Sequence, residues 1–388
     1  MNRRQFLSVS ATFTGGTLIV PNFLYALKNQ PFVNSNSQCL VFVQLNGGND
    51  GLNTLIPYND PLYKMYRPNI GFSKNEVINK SNGMGFHPIL KGISNIQQNG
   101  DLSVIQNVGY PEPNRSHFRS QEIWQTASAS NEYLSNGWLG RFLDLQCNGH
   151  MPTAGINLDT IDNLSLKGDE PNFITVRNLK RFKQRENGND VIELSNNPQL
   201  DFIRKIAYSV NEGAEEIQKA LGQSKTEITY PKSQLASKME WIARLIKGHL
   251  NSKVYYTSLN GFDTHNNQLG IHKNKLNELD EAITAFYKDL KDAKSLESTT
   301  IVIFSEFGRR VKDNGSGTDH GTAAPMLIIG GLNKGLVFGE NPDLTNLDNG
   351  DLRYKTDFRS VYATLLQEKM LFDPKLIGIK EGSLNGLF

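Results

Sequence analysis

In this 388-residue chain, carboxylates and imidazoles recur where apolar runs give way to glycine-rich turns. Asp50 closes the turn Asn46-Gly47-Gly48-Asn49-Asp50-Gly51, directly after the apolar run 39–45. Asp263 and His265 follow the run 253–259, Glu306 follows 300–304, and Asp319 with His320 precede 325–330. Gathered in one place, such groups suit a divalent cation such as zinc, manganese or magnesium. A cation held that way can polarise a phosphoryl or sulfuryl oxygen and activate a nucleophile near neutral pH. Each group also has a structural explanation on its own. Asp50 can cap a turn, Asp263 and His265 can simply bond to each other, and Glu306 can pair with Arg309 or Arg310. Asp319 and His320 can be solvated loop. A shared polar site explains their joint occurrence at strand ends more simply.

A second constellation is Arg115-Ser116-His117-Phe118-Arg119, between the apolar run 102–107 and a helical stretch through Trp124. Ser116 is placed either to cap that helix or to act as a nucleophile at the positive end of its dipole. Arg115, His117 and Arg119 are able to bind phosphate or sulfate oxygens.

The elements that must position these groups are readable. Short continuous apolar runs at 39–45, 102–107, 253–259, 300–304 and 325–330 have the pattern of strands buried on both faces. Between them, helical spacing is expected at 88–98, 233–250 and 273–290. Strands alternating with helices predict an α/β fold with a mostly parallel sheet and helices on both faces. In such a sheet the carboxyl ends of the strands share one edge, where ligands bind. Residues 150–230 are polar, with a basic patch at 180–185, and read as a cap or insertion over the sheet that sets specificity.

Composition narrows the options. The 41 basic and 39 acidic side chains leave a formal net charge of +2, which offers no electrostatic footprint for nucleic acid. Hydrophobic residues make up 38% of the chain, enough for a sizeable core. Cys39 and Cys147 lack any spacing that pairs them, and no Cys/His cluster suggests a structural zinc. The turn after the first strand is not G-x-G-x-x-G and has no P-loop lysine, so a dinucleotide site is set aside.

Residues 1–28 read as an address. Arg3-Arg4 with Phe6-Leu7, ahead of a moderately apolar run to Leu27, matches a twin-arginine export signal. Gly15, Gly16 and Pro21 interrupt that run, which makes it a poor membrane span. The expectation is therefore a substrate of the twin-arginine machinery, periplasmic or extracellular, with a polar linker at 29–38 and one domain over 39–388.

The motifs Asn46–Thr54, Tyr110–Ser120, Gly261–His265, Ser305–Arg310, Thr318–Pro325 and Thr356–Tyr362 together resemble the DUF1501 family. That family is grouped with the alkaline-phosphatase-like superfamily of phosphatases, sulfatases and phosphoglycerate mutases. The resemblance implies one or two divalent metals bound by Asp50, Asp263, His265, Glu306 and His320. It also implies Ser116 at the nucleophile position, with Arg115 and His117 steadying charge. Two departures stand out: Asp263 and His265 are separated by one residue rather than three, and Glu306 stands where an aspartate is usual. The implied function is metal-dependent hydrolysis of a phosphate or sulfate ester on an anionic substrate. The alternative is a non-catalytic exported binding or scaffold protein on the same fold.

Overall fold

The computed structural model describes residues 38–147, 151–179 and 212–388. The twin-arginine segment and nearly all of the linker lie outside the described residues, as does the basic patch at 180–185.

A nine-stranded sheet dominates. Its centre is β1 (Cys39–Asn46), flanked by β8 (Val254–Asn260) and β9 (Thr299–Phe304), both parallel to it. Beyond β8 come β6 (Gly155–Asn157) and β7 (Phe173–Thr175), also parallel. On the other side β10 (Ala324–Gly330) runs antiparallel to β9 and to β5 (Leu102–Gly109). Two short strands, β11 (Val337–Phe338) and β14 (Thr356–Asp357), pair parallel with β5. The sheet is thus mostly parallel, with β10 reversed. Smaller sheets are formed by β2 (Leu55–Ile56), β3 (Ile78–Ser81) and β4 (Met84–Phe86), and by β12 (Leu347–Asp348) and β13 (Asp351–Leu352).

Strand β1 shows why helices must cover both faces. Val41, Val43 and Leu45 point into one buried cluster while Leu40 and Phe42 point into another, following the two-residue period of a strand. The first cluster takes residues from α3 (Lys91–Gln98), α6 (Gln234–Lys247) and α7 (Gln268–Asp292). The second takes residues from α4 (His117–Thr126), α5 (Trp138–Gln146) and α8 (Phe358–Thr364). Two short helices, α1 (Gly51–Thr54) and α2 (Pro61–Tyr66), follow β1. Helix α6 illustrates the local logic. Ser233 Oγ accepts from the Ala236 amide at 3.1 Å, Leu235, Met239, Ile242 and Leu245 are buried along one stripe, and Gly248 ends the helix.

The segment expected as a cap has a different role in its described part. Residues 155–157 and 173–175 extend the central sheet beyond β8; strands of three residues are too short to show a period in sequence. Cys39 and Cys147 are both buried and free. Among the described residues no helix is long and apolar enough to cross a membrane.

Candidate metal centre

The reversal of β10 decides what meets at the sheet's carboxyl edge. His320 precedes β10, and because that strand runs against its neighbours, its start lies beside the ends of β9 and β5. Asp263 and His265 leave the end of β8, and Glu306 leaves β9 two residues past its end. Residue His117 opens α4, which follows β5.

The β1 turn packs hard against the β8 turn. Gly47 has φ +119°, and a Cβ there would stand 2.4 Å from the Asp263 amide nitrogen, so only glycine permits both the conformation and the approach. Ser305 locks the same turn: its Oγ donates to the Leu45 carbonyl at 2.6 Å and accepts from the Asn49 amide at 2.8 Å.

Three imidazoles converge on one carboxylate oxygen. From Asp263 Oδ1, His265 Nε2 lies at 3.1 Å, His320 Nε2 at 3.2 Å and His117 Nε2 at 3.5 Å. Every Nδ1 is tied to an acceptor: His117 to Glu306 Oε1 at 3.0 Å, His265 to Asp319 Oδ1 at 3.1 Å and His320 to the Arg115 carbonyl at 2.8 Å. A carbonyl or carboxylate can only accept, so each Nδ1 donates outward and each Nε2 faces inward, toward Asp263 Oδ1. His265 Nε2 and His320 Nε2 lie 3.0 Å apart, both directed at the Asp263 carboxylate. His117 Nε2 is buried without a hydrogen-bond partner. Ligands on a tetrahedral zinc with bonds of about 2.0–2.1 Å stand roughly 3.3 Å from one another; Asp263 Oδ1, His265 Nε2 and His320 Nε2 are 3.0–3.2 Å apart, and His117, Asp263 and His320 offer ligand atoms within 4.8 Å of one another. The residues present therefore fit a bound divalent cation, and the carboxylate or carbonyl behind each imidazole is the usual second layer of such a site.

Burial pushes the Asp263 carboxyl up, but bonds from Arg309 and His320 outweigh it and hold the group at about 2. Burial likewise opposes ionisation of Glu306, yet bonds from His117 and the Gly47 amide keep its carboxyl below the usual range. The bond to Glu306 raises the His117 imidazole above its ordinary value despite partial burial.

Of the five residues that the family resemblance makes metal ligands, Asp263, His265 and His320 come together. Glu306 is fully buried one layer behind, accepting from His117 and from the Gly47 amide at 2.9 Å. Asp50 is also fully buried, but Arg67 Nη1 binds both of its oxygens, at 2.9 and 2.6 Å, and Gln268 donates to it. It reaches the imidazoles only through a relay, in which Gln268 accepts from Thr318 Oγ1 and the Thr318 carbonyl accepts from Arg309. Asp50 also caps α1, accepting from the Asn53 amide.

Ser116 is the exposed residue preceding α4; its side chain makes no capping bond. The Arg115 guanidinium pairs with Asp351. His117, assigned a charge-steadying role from sequence, joins Asp263 and His320 in a group whose ligand atoms lie within 4.8 Å of one another.

Two buried arginines have partners that the sequence does not indicate: Arg309, offered there as a partner for Glu306, bonds elsewhere, and Arg67 has no sequence signal. Arg309 donates to the carbonyls of Gly47, Gly48, Phe262 and Thr318 and to Asp263 Oδ1 at 2.6 Å. Arg67 bridges Asp50 to the carbonyls of Arg310 and Val311. Neither stands in an apolar pattern; the two adjacent arginines after Glu306 were the one available signal.

Solved structures similar to this chain include Ps i-CgsB in complex with k-i-k-neocarrahexaose, at 10% identity and a TM-score of 0.43, covering 89% of this chain and 75% of that one. A protein in the alkaline phosphatase superfamily from Vibrio parahaemolyticus is similar at 11% identity and a TM-score of 0.40, covering 89% and 69%. The PsFucS1 sulfatase from Pseudoalteromonas sp. is similar at 11% identity and a TM-score of 0.38, covering 93% and 76%. No curated protein matches the sequence. The family model for proteins of unknown function called DUF1501 matches residues 104–380, most of the chain, and the protein belongs to that family.

Proposed function

We propose that the protein is an exported, metal-dependent hydrolase of phosphate or sulfate esters, with the cation held by Asp263, His265, His320 and His117. The observation that carries this reading is the set of three Nε2 atoms turned toward Asp263 Oδ1, each ring fixed by an acceptor behind it. Three imidazoles and a carboxylate favour zinc or manganese over magnesium, which prefers oxygen ligands. Bound there, the cation supplies Lewis-acid polarisation of an ester oxygen.

The chain's own residues do the rest. Glu306, Asp319 and the Arg115 carbonyl fix the rings in one tautomer. Arg309 holds Asp263 ionised and oriented. Ser116, exposed at the start of α4 with no bond of its own to the helix, supplies the attacking hydroxyl. The helix start favours the negative charge of the bound ester. Asp50 organises the turn through Arg67 rather than binding the cation. Export by the twin-arginine route, in which the chain crosses already folded, is consistent with a bound metal.

Elemental analysis of the chain without residues 1–28, beside an Asp263→Ala, His320→Ala double variant, tests this reading. Stoichiometric zinc or manganese in the wild type alone, with metal-dependent turnover of p-nitrophenyl phosphate or sulfate, is the expected result. No metal in either protein after zinc is added back overturns it and leaves a binding protein on this fold. Metal without turnover on any phosphate or sulfate ester keeps the centre but removes the hydrolase.

A further inference from the structure

Beside the imidazole cluster, a cleft of about 970 Å³ opens along the carboxyl ends of β1 and β8. Its chemistry is unlike the metal centre's. Gln44, Asn46, Gln121, Gln125, Asn163 and Asn260 all line it. Several are held by internal bonds: Gln44 Oε1 accepts from Tyr256 at 2.6 Å, Asn46 Nδ2 donates to Asn260 Oδ1 at 2.8 Å, and Gln121 donates to Asn46. These bonds anchor Gln44, Gln121 and Asn260 at one end and Asn46 at both, so the carboxamides are oriented on one surface.

The charged groups of the lining largely cancel. Lys238 pairs with Asp159 at 2.8 Å and Arg177 with Asp162 at 3.6 Å, with Lys232 a further cation. A site for a polyanion would present an unpaired basic surface instead. Mixed neutral donors and acceptors suit a ligand that presents both in turn, which is what a run of hydroxyl groups does.

The cleft also adjoins the reacting centre. Gln121 Nε2 lies 3.3 Å from Glu306 Oε1, the oxygen that His117 Nδ1 approaches at 3.0 Å. Helix α4 spans both regions: His117 belongs to the cluster, while Gln121 and Gln125 line the cleft. Phe118 stands one turn before Gln121, on the face that also carries Gln125. It is the most exposed large apolar side chain of those described, 89% accessible. Phe118 is not among the residues that line the cleft; from the same helix face its ring offers a flat apolar surface to a ligand that reaches past the lining.

We propose that this cleft binds a glycosyl unit, and that the substrate is a carbohydrate ester whose esterified group reaches the imidazole cluster while its neighbouring sugar occupies the carboxamide surface. The inference rests on the hydrolase reading for what happens at the cluster, but glycan binding stands apart from metal binding. Phe118 covers the apolar face of the sugar ring, and the carboxamides take its hydroxyls.

The test is a glycan array of neutral and sulfated oligosaccharides probed with the labelled chain lacking residues 1–28. Three variants accompany it: Gln125→Ala with Asn260→Ala, Phe118→Ala, and His320→Ala, each checked by thermal melting. Wild type is expected to retain neutral glycans. The carboxamide double variant and Phe118→Ala, which removes a ring already in solvent, are each expected to lose at least tenfold in binding. His320→Ala is expected to lose metal and still bind the neutral glycans. No glycan held by the wild type, or equal binding by all variants, overturns the proposal whatever the metal content. A wild type that holds glycans but neither binds metal nor turns over any phosphate or sulfate ester would count against the hydrolase reading alone.

Discussion

Arg309 Nη2 stands 2.6 Å from Asp263 Oδ1, the same oxygen that His265 and His320 approach. The arginine side chain is fully buried while the aspartate is half exposed, so the guanidinium is the fixed partner and the carboxylate the one that is aimed. Its remaining donors go to four carbonyls in three separate turns. One side chain therefore couples the ends of β1 and β8 to the loop before β10. Arg309→Lys keeps the charge but cannot reproduce that fork. It is expected to cost about 1–3 kcal/mol of stability through carbonyls left without a donor and to weaken zinc binding as well, read by thermal melting and by competition with a zinc chelator.

Glu306 should behave differently. It touches the cluster only through His117 Nδ1, and glutamine keeps an oxygen able to accept from the Gly47 amide. That same oxygen also accepts from His117 Nδ1, so only the charge behind the imidazole is lost. Glu306→Gln is expected to lower metal affinity about tenfold, the low end of the usual cost of changing a partner behind a ligand, with little change in melting temperature. Unchanged affinity in a chelator competition would mean that His117 is not a ligand.

Asp50 gives the converse case. Its ion pair with Arg67 is fully buried on both sides, and removing one charge strands the other in a dry interior. Asp50→Asn is expected to lose about 3–5 kcal/mol in urea denaturation, yet to take up the same amount of zinc at saturation. Zinc stoichiometry that fell with Asp50→Asn would return this residue to the ligand set.

How much of this was legible follows from what each residue depends on. Strands β1, β5, β8, β9 and β10 are continuous apolar runs bounded by polar turns, so their positions and the polar groups at their ends could be read directly. The gathering of Asp263, His265 and Glu306 required only that those ends share an edge; His320, which precedes its strand, required more. The reversal of β10 could not be read, because an isolated apolar run carries no direction; it is the reversal that lets a residue before the strand join residues after the others. Arg67 lies seventeen residues beyond Asp50, and nothing local marks a partner that arrives by tertiary packing. Glu306 was read correctly as a polar group at a strand end, but whether a carboxylate reaches a site or backs an imidazole depends on a few ångströms of side-chain placement. Likewise β6 and β7 are too short for a period to emerge, and the segment holding them read as a cap.

Two more buried histidines make acid stability a test of the interior. Burial lowers His87 to about 3 and His272 to about 4, from an ordinary 6.5. His272 Nε2 donates to Asn49 Oδ1 at 2.8 Å, and the two rings sit 6.1 Å apart. Below about pH 6.5 the unfolded chain protonates both while the folded chain keeps them neutral, so the unfolded state binds more protons and stability falls as pH falls. Each contributes a slope of at most about 1.4 kcal/mol per pH unit across the window from 6.5 down to about 4 for His272 and about 3 for His87. His272→Gln retains a donor for Asn49 and removes one titration. Its unfolding free energy should depend less steeply on pH between 6.5 and 4 than that of the wild type. Parallel curves would show that His272 does not stay neutral in the fold.

Ser116 separates structure from chemistry most cleanly. A serine preceding a helix usually caps it, and its loss then costs about 0.5–2 kcal/mol. Here the side chain makes no capping bond, while the backbone amide is already satisfied by Asn114 Oδ1 at 2.8 Å. Ser116→Ala should therefore leave the melting temperature and the zinc content where they are. If its hydroxyl attacks the ester, turnover of whichever phosphate or sulfate ester proves active should drop by at least about a hundredfold, the scale on which removing a positioned reacting group is felt. Turnover that survives the substitution would assign the attack to water, with His117, His265 and His320 left as the groups that define the site.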